Sequence, residues 1–436
     1  MLHRSWLMWM AGLVLSIAAP PTFAITLGWS ELPNSPLAGA AQRHDDLDFI
    51  DPLRGWVVNG DGEVWYTEDG GDSWSLRADT GVYNRCVAFI SPTRGFIGTL
   101  YQSNGEPLLE TKDGGLNWVE APLPDPAPRG ICGLEALNDS TVCGVGTYYG
   151  YPTFIRTVNG GDSWTKKDMS AYCGALVDTH WFSPDSGLAV GSTPPGSSRK
   201  ARVLLTTDGG ATWSVRYTGT RNREICWKIS FVSRLVGFVS IENLNNGVGA
   251  AYFLKTTDGG LTWSEQLLSS TYLNCQGIGF VDAQTGWIGG WNFTTEATHD
   301  GGATWATTGP GFHMNRFRFL TPSLGYACGQ KVYKYVGSVT GTPDEAPVAP
   351  ARLLGQNSPN PFRSRTTIAY RVTQPGAVSL LVFDLQGRRV ATLVQATQPP
   401  GNYTTTLDGA DLAAGAYFYQ LITPTGVETR RMWVAR

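Results

Sequence analysis

An all-β chain, a seven-bladed β-propeller followed by a small β-sandwich, is predicted by two interleaved repeats and one change of composition. The octapeptide T-x-[DN]-G-G-x-x-W occurs six times, at Thr67 to Trp74, Thr111 to Trp118, Thr157 to Trp164, Thr206 to Trp213, Thr256 to Trp263 and Thr298 to Trp305. Upstream of the octapeptides an apolar strand, a turn and a Gly-led strand recur at Phe49 to Gly55, Phe89 to Gly95, Phe182 to Gly187, Phe231 to Gly237, Phe280 to Gly286 and Phe319 to Gly325. A degenerate copy runs from Leu134 to Gly146. The composition then changes at Gly337 to Arg352, where Pro343, Pro347 and Pro350 mark an extended linker.

The octapeptide tryptophans are 44, 46, 49, 50 and 42 residues apart, the length of a four-stranded propeller blade. Each octapeptide reads as a locked turn. Paired glycines supply positive φ, while Asp69, Asp113, Asp208, Asp258 and Asp300 accept backbone amides within the turn. Asn159 keeps the acceptor and loses only the charge. The Thr hydroxyl is a second lock. Trp74, Trp118, Trp164, Trp213, Trp263 and Trp305 then start the outgoing strands with their rings aimed between sheets.

There are seven strand pairs but six octapeptides, because the last unit, Phe319 to Val336, stops before its outer strand. The mature N-terminus supplies a match: Gly28-Trp29-Ser30-Glu31-Leu32 resembles the segment after each turn, and Trp29 lies 45 residues before Trp74. The expected domains are a signal peptide over 1–24, a propeller over 25–336 whose N-terminal strand closes blade seven, a linker over 337–352 and a C-terminal sandwich over 353–436. In the sandwich, short alternating strands separated by turn signals run from Thr366 to Ala435.

The chain has 436 residues, 53 of them Gly, and a net charge of −3, so neither nucleic acid nor a bare membrane surface is an expected partner. Met1 to Ala24 carries His3 and Arg4, an apolar run from Trp6 to Ala19 and a small-x-small site at Thr22-Phe23-Ala24, the pattern of a cleaved secretory signal. Seven cysteines leave at least one thiol outside any intramolecular disulfide. Cys132 and Cys143 are a possible pair across neighbouring strands. No C-x-x-C spacing occurs, and neither a metal nor a cofactor is expected.

The octapeptide resembles the Asp-box, or BNR repeat, of sialidase-type propellers. The seven-unit arrangement over Ile25 to Val336 looks most like the photosystem II stability and assembly factor family. The tail, with Asn357-Ser358-Pro359-Asn360-Pro361-Phe362, Phe383-Asp384-Leu385-Gln386-Gly387-Arg388 and Leu412-Ala413-Ala414-Gly415-Ala416-Tyr417-Phe418, resembles a type A C-terminal sorting domain. The immunoglobulin-like domain of flagellar hook-capping proteins shares this pattern. The sorting resemblance implies export by the type IX pathway, with the outer-membrane secretion machinery as a partner and the bacterial surface or exterior as destination.

In propellers the ligand face is the end of the channel opposite the Asp-box turns. Arg85, Arg129, Arg223 and Arg316 each stand at the start of a blade's first strand, so four guanidinium groups are expected to converge at the channel mouth. Tyr83, Tyr172, Tyr272 and Phe312 precede the same strands as an aromatic rim, while Asp45, Asp46 and Glu224 are the acids placed to neutralise the ring. The set suits a protein partner or an anionic glycan, and the family resemblance implies an arginine-rich face that binds a protein. No catalytic residue is assigned. There is no R-I-P segment at the first blade, no H-E-x-x-H and no G-x-S-x-G. The alternative is a glycoside hydrolase of sialidase or xyloglucanase type, which requires two carboxylates or a Tyr/Glu pair facing each other in a groove.

Overall fold

The computed structural model describes residues 28–39, 42–100, 106–146 and 150–337. It also describes 353–435, apart from 358, 361, 385–387, 411, 414 and 424–425. The signal expected over Met1 to Ala24 and almost all of the linker lie outside the described residues.

Seven antiparallel sheets form a ring. Their first, innermost strands are His44–Phe49, Tyr83–Phe89, Gly133–Ala136, Ala175–Trp181, Glu224–Phe231, Asn274–Phe280 and Arg316–Thr321. Each inner strand neighbours the next around the channel, and the seventh packs on the first. Each of the first five blades runs outward in chain order, as in His44–Phe49, Gly55–Asn59, Glu63–Thr67 and Ser75–Asp79 of blade one. Blade six has three strands, and its outer edge is closed by the bridge between Ala297 and Ala306. In blade seven, Gly28–Glu31 pairs antiparallel with Val332–Val336, placing Trp29 opposite Tyr335. Trp29 packs against Trp287, Phe317, Phe319 and Tyr335, so the first and last strands of the propeller share one aromatic cluster.

The octapeptides make one hydrogen-bond pattern. In blade one the Thr67 hydroxyl donates to Asp69 Oδ1 at 2.8 Å and accepts the Gly71 amide at 2.9 Å, while Asp69 accepts the Ser73 amide at 2.9 Å and the Ser73 hydroxyl at 2.5 Å. Asn159 accepts the Ser163 amide at 3.0 Å and uses its Nδ2 to donate to the Ser163 hydroxyl, so the uncharged copy closes equally. These bonds hold the Asp69, Asp113, Asp208 and Asp258 carboxyls down at about 2. The second glycine of the turn sits under a side chain of the preceding blade. At Gly210 a Cβ would lie 2.2 Å from Phe154, and φ there is +91°. Trp164, Trp213 and Trp305 meet Phe96, Phe154 and Phe253 of the preceding blades edge-on at 5.3 to 5.4 Å. The octapeptide therefore closes a hairpin and clamps it to its neighbour.

The upstream repeat is explained by contact. Phe49, Phe89, Phe231, Phe280 and Phe319 each stand opposite Gly55, Gly95, Gly237, Gly286 and Gly325. A Cβ on any of these glycines would come within 2.6 Å of the facing ring. In blade four the partner of Gly187 is Trp181, the residue before Phe182. All seven cysteines are buried, and none is in a disulfide. The possible Cys132 to Cys143 bridge is absent because the strands are offset: Cys143 faces Glu135, while the Cys132 amide donates to Val145 O.

The C-terminal part is a two-stranded sheet, Arg365–Val372 with Gly401–Asp408, and a four-stranded one ordered Arg389–Gln398, Gly376–Phe383, Gly415–Thr423 and Gly426–Val434. Burial alternates residue by residue along Arg365–Val372, the period of a half-buried strand. Ile368, Tyr370, Val378, Leu380, Tyr419, Leu421 and Met432 fill the core between the sheets. Leu354 and Phe362, from the segment before the first strand, plug that core and bridge to Tyr370 and Val434.

Candidate binding face and channel

The Gly70 amide of the first octapeptide donates to Leu53 O, so octapeptides and strand 1–2 turns share one face. The inner strands begin at the other face. There, five of them carry a β-bulge near their start: between His44 and Asp46, Asn84 and Cys86, Leu176 and Asp178, Cys226 and Ile229, and Cys275 and Ile278. A bulge inserts residues without a ladder partner and re-aims side chains. The inserted residues include Asp45, Arg85, Trp227, Lys228 and Gln276, and with Asp46, Asp178 and Arg316 they make a buried polar column.

The upper part of the column is built on Asp45. Its Oδ1 accepts Arg43 Nε at 3.1 Å and Arg85 Nη1 at 3.0 Å, and Asn315 Nδ2 donates to its carbonyl at 2.6 Å. Trp227 Nε1 donates to Asn315 Oδ1, and the Arg85 and Arg43 guanidinium groups lie over Trp227 and Trp291 at 5.2 and 4.3 Å. Gln276 Nε2 donates to Glu242 Oε1 at 2.8 Å, and burial pushes the Glu242 carboxyl up to about 7 against Gln276 and nearby arginines.

Below it, Arg316 makes a bidentate fork on Asp178, with Nη1 and Nη2 each at 2.9 Å, and its Nε donates to Asp46 at 2.8 Å. The same carboxylates accept amides from other blades: Asp46 from Val87, Asp178 from Ile229, and Asp48 from Phe89. Burial opposes ionisation of Asp178, but Arg316, Lys228 and the Ile229 amide outweigh it and hold the carboxyl low. Asp48, with less compensation, rises to about 6. Desolvation and the neighbouring Arg316 bring Lys228 down to about 7.

This arrangement corrects the expected ring of four converging arginines. Arg85 and Arg316 are buried and bound to Asp45, Asp46 and Asp178, because they lie inside the channel with carboxylates from other blades. Arg129 and Arg223 are exposed at the rim. Arg223 has φ +58° and folds its guanidinium back onto Leu244 O. Glu224 is bound by Arg221, not by the ring. Tyr83, Tyr172 and Tyr272 are half-buried near the same rim. Burial and Asp45 push the Tyr83 phenol far up, so it is a fixed neutral contact. The missed residues, Asp178 and Lys228, had a readable signal: each is a charge inside an apolar inner strand, Leu176-Val177-Asp178 and Ile225-Cys226-Trp227-Lys228-Ile229.

The described non-glycine residues with positive φ are Arg223, Asn246, Asn292 and His313, and all lie in loops of this face around blades five to seven. His313 packs edge-on to Trp291 at 4.8 Å and to Phe312 at 4.2 Å. The Tyr/Glu pairing sought for a sialidase-type site occurs at Tyr217 and Glu265, on the outer strands of blades four and five. Burial and Glu265 raise that phenol strongly, the opposite of nucleophile activation.

Residues 358–435 match the model of the secretion system C-terminal sorting domain. The photosystem II assembly lipoprotein Ycf48 of Synechococcus sp. (strain CC9902) is 27% identical over 279 residues, covering 60% of this chain and 74% of its own length. The chloroplastic photosystem II stability/assembly factor HCF136 of Arabidopsis thaliana is 24% identical over 322 residues, 67% of this chain and 75% of its own. Among solved structures, YCF48 bound to D1 peptide superposes with a TM-score of 0.53 at 20% identity, covering 72% of this chain and 99% of that one. The chain is thus a propeller similar to photosystem II stability and assembly factors, followed by a C-terminal sorting domain that marks it for secretion to the cell surface or beyond.

Proposed function

We propose that this is an exported, non-catalytic binding protein whose propeller face opposite the octapeptide turns holds an extended segment of a partner protein. The observation that carries the reading is the clustering of Arg223, Asn246, Asn292 and His313, all at positive φ, on loops of that one face. Left-handed backbone is costly at Arg223, while Asn and His tolerate it better, and such a conformation persists where surrounding contacts hold it. Arg129 and Arg223 supply exposed donors, and Tyr83, Tyr172 and Tyr272 supply flat contact area with a polar tip. Arg85 and Arg316 act from below as fixed members of the channel column. The similar protein solved with a D1 peptide supports a peptide ligand as the class. The C-terminal domain delivers the propeller through the type IX machinery.

The test is a binding screen of the full-length exported protein against cell-surface proteins and acidic glycans, with product analysis of every hit. Saturable binding of a protein, weakened at least tenfold by Arg129→Ala with Arg223→Ala and with no product formed, is expected. Turnover of a sialoside or glucan would replace this reading with a hydrolase.

A further inference from the structure

We propose that the interior of the channel holds a small monovalent anion of chloride's size between Lys228 and Arg85. Lys228 is fully buried on the bulge of blade five, and its Nζ has no hydrogen-bond partner among the described residues. Arg85, on the bulge of blade two, spends Nη1 on Asp45 and leaves Nη2 buried without a partner among the described residues. Arg43, bound to the same Asp45 oxygen, likewise leaves Nη1 unpartnered. Three cationic side chains, none more than 3% exposed, thus each present an unused donor inside one column. A buried charged donor without an acceptor is strongly disfavoured, so such sites are filled by water or an ion.

The local field selects between these. The carboxylates nearest Lys228 are committed elsewhere: Asp178 to the Arg316 fork and the Ile229 amide, Asp46 to Arg316 and the Val87 amide. Burial first, and then Arg316 and Arg85 as like charges, depress the basicity of Lys228 further than Asp178 and Asp46 restore it. An anion beside Nζ and Nη2 accepts both unused donors and offsets that repulsion, whereas water supplies no charge. The site is separate from the rim surface and does not depend on the partner proposed there.

Crystals of the full-length protein soaked in bromide test this directly. The expected result is an anomalous peak in contact with Lys228 Nζ and Arg85 Nη2. Thermal melting in sodium chloride against sodium gluconate at equal ionic strength is the second readout. Chloride raises the wild-type Tm progressively with concentration, and Lys228→Met abolishes that dependence. A peak-free channel, or a chloride response unchanged in Lys228→Met, overturns the proposal. The soak needs no variant, so it decides the matter even where Lys228→Met fails to fold.

Discussion

At the scale of single residues, Asp178 holds three blades together: it belongs to blade four, takes the Arg316 fork from blade seven and accepts the Ile229 amide from blade five. Breaking such a buried pair by removing one partner costs about 3 to 5 kcal/mol, because the other charge stays buried and unpaired. Asp178→Ala is expected to lower unfolding free energy by that amount in urea titration. Asp139→Ala, in an exposed turn, is expected to stay within about 0.5 kcal/mol.

Lys228 titrates with the opposite consequence. Its folded pKa of about 7 lies below the 10.5 of an ordinary lysine, so between those values the unfolded chain binds more protons and stability rises with pH. In chloride-free buffer Lys228→Met is therefore expected to be at least as stable as wild type at pH 7. Its margin should shrink as pH approaches 10 in pH-dependent melting. Asp178 and Asp46, whose folded pKa values are depressed, contribute stability that is lost as pH falls below the ordinary carboxylate range.

At the scale of the element, the Thr of each octapeptide is a hydrogen-bond relay, accepting a buried glycine amide while donating to the Asp. Thr256→Val leaves the Gly260 amide without its partner and is expected to cost about 1 to 3 kcal/mol in denaturant unfolding. These turns were legible in sequence because two glycines, an acceptor and a Trp at fixed offsets admit one local geometry. The upstream strand pairs were legible as a repeat, but the ring over each leading glycine emerges only from the register, which in blade four sets Trp181 and not Phe182 opposite Gly187. The channel was not legible. Bulges re-aim side chains by one or two positions, and only the closed ring brings Asp45 to Arg85, 40 residues apart, or Arg316 to Asp178, 138 apart. Counting arginines at strand starts therefore merged two buried, neutralised residues with two exposed ones.

At the scale of the whole molecule, a ring is only as stable as its closure. Trp29 joins the N-terminal strand to four aromatics of blades six and seven. Trp29→Ala is expected to cost about 3 kcal/mol or more, read as a lowered Tm. Deleting residues 28–32 would expose the Val332–Val336 edge, and size-exclusion chromatography is expected to show association through it.

Site-specific photocrosslinking on the full-length protein at the cell surface shows whether the face opposite the octapeptides holds a partner segment. A photoreactive residue in place of Tyr272 or Tyr172 is expected to give one covalent adduct with the same partner, and one in place of the exposed Leu116, in an octapeptide, none. Adducts only from Leu116, or none from either rim position while the protein still binds its partner, would place the partner elsewhere.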